Sequence, residues 1–172
     1  MRKNIKERIV EFETYMDVFR DEINWWFILL DNTPYPNSIR LKKPIVIEMY
    51  EFCGCMIKAT KQINQAVKII TKKFEAASRK QPIEYLEKTT QKTLNKWETY
   101  LRPFRRQIAA HRYTTEKGQF LELVDIMRLY GTMSDERLAE ARVELFECHD
   151  KIKTWLSTPT NRNHLVLVAQ PG

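Results

Sequence analysis

IKERIVEFETYMDVFRDEINWWFILL, Ile5 to Leu30, is the stretch that decides the fold. Within it Ile5, Ile9, Phe12, Met16, Phe19, Ile23, Trp26 and Leu30 recur at steps of 4, 3, 4, 3, 4, 3 and 4. These steps average close to the helical repeat, so the apolar side chains form one stripe along a long helix. Trp25, Trp26 and Phe27 thicken the stripe toward its end, where a core, a partner or a second subunit packs. Two prolines and turn residues in DNTPYPNS, Asp31 to Ser38, then stop the helix.

The same period returns three times downstream. Pro44 suits the first turn of a second helix running toward Ala77. Met56, Ala59, Ile63, Val67, Ile70 and Phe74 form its buried side, and Lys58, Lys61, Gln65, Lys68 and Lys72 form a separate polar stripe. Gly54 is expected to loosen or kink this helix. The short connection Ser78 to Pro82 predicts an antiparallel return in a third helix starting near Pro82. There Leu86, Thr90, Leu94, Trp97, Leu101, Phe104 and Ile108 keep the spacing, with Pro103 kinking or restarting the helix. Phe120, Leu121, Val124 and Met127 mark a shorter helix ending at Gly131. Ser134 is suited to cap the last helix, whose Leu138, Ala141, Leu145, Cys148, Ile152 and Trp155 step by 3, 4, 3, 4 and 3. The expected architecture is all-α: an up-and-down bundle of about four long helices plus one shorter helix. One domain is expected over residues 1–158. A tail follows over 159–172, either unstructured or holding a short extended segment at Leu165 to Val168.

Composition narrows the class. In 172 residues, 43% hydrophobic content and only four glycines disfavour both a disordered chain and a turn-rich β-sandwich. Met1 leads straight into charged, helix-periodic sequence, which predicts no secretory leader. No run of about 18 apolar residues is present, so no membrane span is expected. Three cysteines, an odd number, suit reduced thiols in the cytoplasm. Cys53-Gly54-Cys55 joined by Cys148-His149 would make a metal site, but C-x-C is not the usual structural-zinc spacing, and buried free thiols are the expected reading. The charge is uneven. Residues 58–117 carry 15 Lys+Arg against 5 Asp+Glu, and the rest carry 14 against 17. A polyanion would therefore be drawn to the middle of the chain.

The positive charge is densest in LRPFRRQIAAHRYTTEKG, Leu101 to Gly118. Arg102, Arg105, Arg106, His111, Arg112 and Tyr113 fall within twelve residues, and Lys117 follows. A histidine exchanges protons near neutral pH, and an arginine offers a phosphate a permanent charge and a planar fork of donors. Together they suit phosphodiester cleavage, and with RNA the ribose 2′-OH supplies the nucleophile, so no metal or cofactor is needed. Arg106 and His111 lie five residues apart, about 140° around a straight helix. A curled arginine, a distorted helix or a second copy of the chain would bring them together. The bland alternative is cations and a capping histidine at a helix C-terminus.

Arg106-Gln-Ile-Ala-Ala-His111-Arg-Tyr113 resembles the R-x4-H-x-Y motif of the HEPN superfamily, helical-bundle proteins of prokaryotic toxin–antitoxin and abortive-infection systems. An overlapping register begins at Arg105, but only Arg106 also aligns Tyr113. Gln107 departs from the Asn, Asp or His often found there and cannot titrate. The resemblance implies a metal-independent ribonuclease working as a homodimer, its two motifs facing across a cleft. Arg106 would hold the scissile phosphate, and His111 would transfer protons. Arg102, Arg105, Arg112 and Lys117 would bind RNA. Tyr113 matches the tyrosine that nucleotidyltransferase antitoxins modify in some members. Other members are catalytically dead, so the alternative is a helical module that binds nucleic acid, a nucleotide or a partner protein through the same basic face.

Overall fold

In a computed structural model, residues 5–35, 37–77, 79, 83–106 and 123–168 are described, and all their regular structure is helical. The elements are α1 (Ile5–Asp31), α2 (Ser38–Ala76), α3 (Lys88–Phe104), α4 (Leu123–Thr132), α5 (Asp135–Ser157) and α6 (Pro159–Val168). Four are long and two short, one short helix more than the periodicity predicts.

The pairings show an up-and-down bundle. Along α2 and α3, Tyr50 meets Glu98, Cys53 meets Leu94 and Asn64 meets Leu86, a falling register that makes the pair antiparallel. Lys96 with Glu144 and Lys151 with Glu87 give the same sense for α3 and α5. Asp17 with Lys153 and Arg20 with Asp150 give it for α1 and α5. The stripes turn inward to one core, in which Met16, Ile23, Met56, Val67, Leu94, Trp97, Leu101, Leu138 and Leu145 are fully buried. Ser134 caps α5 as expected, its hydroxyl accepting the Arg137 backbone N–H at 3.2 Å.

Several boundaries move. Helix α2 starts at Ser38, so Pro44 sits in its second turn, where it forgoes only the bond to the Arg40 carbonyl. Ile45, Val46, Met49 and Phe52 extend the buried side upstream of the predicted one. Helix α3 starts at Lys88; the preceding non-helical link is held because Leu86 N–H donates to Asn64 Oδ1 at 3.1 Å and Trp155 Nε1 donates to the Glu84 carbonyl at 3.0 Å. Gly131 lies inside α4, and Met127 is exposed there, whereas Tyr130 packs edge-on against Phe104 at 5.1 Å.

The expected tail needs the larger correction. Residues Pro159–Val168 form α6, so no extended segment exists at Leu165 to Val168. Proline is well suited to a first helical position because the N–H it lacks has no partner there. Arg162 N–H closes the first turn on the Thr158 carbonyl, Asn161 donates to the Trp155 carbonyl, and Leu165 is buried. Packing against α1, α2 and α5 outweighs the strand preference of Val166 and Val168.

Helix α2 runs through Gly54 without a break, and a Cβ added there meets nothing within 4 Å. Gly54→Ala is therefore expected to stabilise the fold by about 0.5–1 kcal/mol, because alanine loses less backbone entropy on folding. Urea denaturation measures it; a loss of stability would mean that the position requires glycine.

Candidate nucleic-acid interface at the end of helix α3

Helix α3 and the turn that follows it carry Arg102, Arg105 and Arg106 to the surface. Pro103 removes the donor that would bond the Thr99 carbonyl, yet the helix continues to Phe104 because Leu101 and Phe104 are both buried anchors. Beyond it, Arg105 and Arg106 wind into a wider π-type turn. Such turns re-aim side chains at a helix end.

Carboxylates hold the Arg102 and Arg105 guanidiniums. Arg102 is clasped by Glu98 one turn earlier, with Nε donating to Oε1 at 3.0 Å and Nη2 to Oε2. Tyr50 of α2 donates its hydroxyl to the same Glu98 at 3.1 Å. The Arg102 hydrogen bonds keep the Glu98 carboxyl below the usual carboxylate range, with Tyr50 acting in the same direction. Arg105 reaches across to Glu51 of α2 at 3.1 Å, and its guanidinium stands 5.6 Å from the centre of the Tyr50 ring. Arg106 is exposed. Three guanidiniums set against the carboxylates of Glu98 and Glu51 leave this group of five with a net charge of +1. A phosphate must compete with Glu98 for Arg102 and with Glu51 for Arg105.

A separate lysine stripe runs along α2, away from the end of α3. Glu51, Lys58, Gln65 and Lys72 recur every seven residues and so share one helix face, with Lys61 and Lys68 beside it. The four lysines are exposed, as their stripe predicts. His111, Arg112, Tyr113 and Lys117, with Gln107 and the turn at Thr114 to Gly118, lie outside the described residues.

The thiols are not arranged as ligands. Cys53 Sγ donates to the Leu94 carbonyl at 3.2 Å, and Cys148 Sγ faces the Thr90 carbonyl at 3.9 Å. Burial pushes the Cys53 thiol up to about 12 and the Cys148 thiol to about 11, so both are protonated at neutral pH. Among the described residues no group of three or more His, Cys, Asp or Glu is placed to hold a metal ion.

A polar cluster between α1 and α5 escaped the sequence reading. His149 is buried against Phe52, with ring centres 5.6 Å apart, and Arg20 Nη1 lies 3.2 Å from its Nδ1. Arg20 also pairs with Asp150, and Lys153 holds Asp17 at 2.8 Å. An arginine can only donate, so Nδ1 accepts and the imidazole is neutral. Burial first, and the Arg20 charge second, hold its pKa below the ordinary histidine value, while Asp17 and Asp150 pull the other way. Lowering the pH toward that depressed value loads the unfolded chain with protons before the folded one, so stability falls as pH drops below about 6.5. Urea midpoints at pH 7.5 and 5.5 are expected to differ more for the wild type than for His149→Phe. An equal difference would remove His149 from the account.

The chain is an all-α bundle with a group of arginines at the end of α3 and a separate lysine stripe on α2, and no helix among the described residues is long and apolar enough to cross a membrane. Comparison with family models, with curated proteins and with solved structures returns no match.

Proposed function

We propose that the chain is a HEPN-type endoribonuclease, a cytoplasmic toxin or anti-phage effector that cuts RNA as a homodimer without metal. The observation that carries this is the exposed Arg106 just past the end of α3, in a chain whose α2 carries a stripe of exposed lysines about 21 Å long. Arg106 holds the scissile phosphate, whose growing negative charge it stabilises. The 2′-oxygen gives up its proton, attacks phosphorus and expels the 5′-oxygen, which takes a proton; His111 serves in this transfer. The products are a 2′,3′-cyclic phosphate and a 5′-hydroxyl. Tyr113 is the residue on which a nucleotidyltransferase antitoxin would act.

One observation favours a second reading. Glu98 and Glu51 already occupy Arg102 and Arg105, which suits a helix end held for structure and a face that binds without cutting. Purified protein incubated with total RNA in excess chelator separates the two. Cleavage with cyclic phosphate ends is expected, at a mass by light scattering of twice the 20.6 kDa chain. Intact RNA bound with an affinity that falls steeply with salt leaves the binding module. Cleavage that chelator abolishes refutes the mechanism.

A further inference from the structure

The outward face of α1 has the make-up of a docking surface. Val10, Tyr15, Val18, Trp25 and Ile28 keep between 49% and 57% of their surface exposed. At 100° per residue these side chains span an arc of about 140°, within which the exposed Glu11 and Thr14 also fall. Asp21 and Glu22 lie on the same arc, one on each side of the line from Val18 to Trp25, and both are exposed. Between Ile9 and Asp31 the sole basic residue is Arg20, which turns away to Asp150 and His149 of α5. At the rim, burial and the neighbouring Glu22 push the Glu48 carboxyl of α2 up, so acid crowds acid there.

Charge decides the occupant. A nucleic acid or an anionic membrane surface would be repelled. A second copy docked antiparallel through the same face, centred between Val18 and Trp25, would bring Asp21 and Glu22 against their own equivalents. A helix with an apolar side and flanking cations satisfies both parts of the surface, and helix-on-helix packing needs no open sheet edge. We infer that this face of α1 docks a basic amphipathic helix of a partner protein, seated on Val18, Trp25 and Ile28, with lysines or arginines at Asp21 and Glu22. From Val10 to Ile28 the face is about 27 Å long, matching about 18 residues of partner helix. The inference does not depend on the ribonuclease reading.

The test uses a fluorescent 18-residue Leu/Lys peptide of helical period, its Leu/Glu counterpart and a scrambled Leu/Lys peptide, followed by anisotropy with the full chain. The patterned Leu/Lys peptide is expected to bind and the other two to bind at least about tenfold more weakly. Trp25→Ala should weaken binding about tenfold or more, and Ile69→Ala, at an exposed apolar site on α2, should not. The double variant Asp21→Lys with Glu22→Lys should exchange the preference from the Leu/Lys to the Leu/Glu peptide, with thermal melts verifying the fold. If that double variant fails to fold, Trp25→Ala decides alone. Binding that ignores Trp25→Ala, or equal binding of the scrambled peptide, overturns the inference. Self-association of the wild type that Trp25→Ala abolishes also overturns it, because a second copy would then be the occupant.

Discussion

His111→Ala is expected to slow RNA cleavage by about 10²–10⁴-fold, the range for losing a positioned proton-transfer group. Binding should hardly change, because arginines and lysines supply the attraction. Arg106→Lys should recover only part of the activity lost in Arg106→Ala, since lysine keeps the charge but not the planar fork. Opposing charge at Arg102 and Arg105 has a different signature. Each is engaged by a carboxylate, so its removal leaves Glu98 or Glu51 without that partner and adds negative charge near the site. Those variants should weaken RNA affinity and its salt dependence more than the rate at saturating RNA. A His111→Ala protein that cuts at the wild-type rate would end the ribonuclease proposal.

Trp97→Ala is expected to cost about 3–5 kcal/mol of folding stability, the range for removing a large buried aromatic. Trp97 is fully buried, and three kinds of contact converge on it. Its indole N–H donates to Glu144 Oε2 at 2.7 Å, its ring meets Tyr100 edge-on at 5.5 Å, and the cations of Lys96 and Arg137 stand 4.3 and 4.9 Å from its centre. Alanine opens a cavity between α3 and α5 and deprives the Glu144 carboxylate of a donor. Trp97→Phe keeps much of the volume and should cost less. Trp25→Ala, on the exposed face of α1, should cost little. Because a domain of this size is stable by only about 5–15 kcal/mol, Trp97→Ala removes a large share of the whole. Urea unfolding followed by circular dichroism measures all three. Equal losses for Trp97→Ala and Trp25→Ala would mean that the core is not centred on α3.

The sequence by itself determined the class of fold. A helix's buried side recurs every 3.6 residues along the chain, so the stripes on α1, α3 and α5 are local patterns, and the Ser134 cap is legible for the same reason. The basic character of the end of α3 was equally local. Other features depend on what lies across the interface. Of Trp25, Trp26 and Phe27, consecutive and all apolar, only Phe27 is fully buried, with Arg142 of α5 over its ring at 4.3 Å. Valine-rich sequence after Leu165 is helical because α1, α2 and α5 offer it a seat. His149, next to Cys148 of the apolar stripe of α5, is buried because Phe52 and Arg20 reach it from α2 and α1. Glu98 lies one helical turn from Arg102 and could be read in the sequence as its partner, but the engagement of Arg105 by Glu51 joins residues 54 positions apart. Periodicity carries information along one helix; ion pairs and burial between helices arise only when packing brings distant residues within a few ångströms, and that the tertiary structure alone decided.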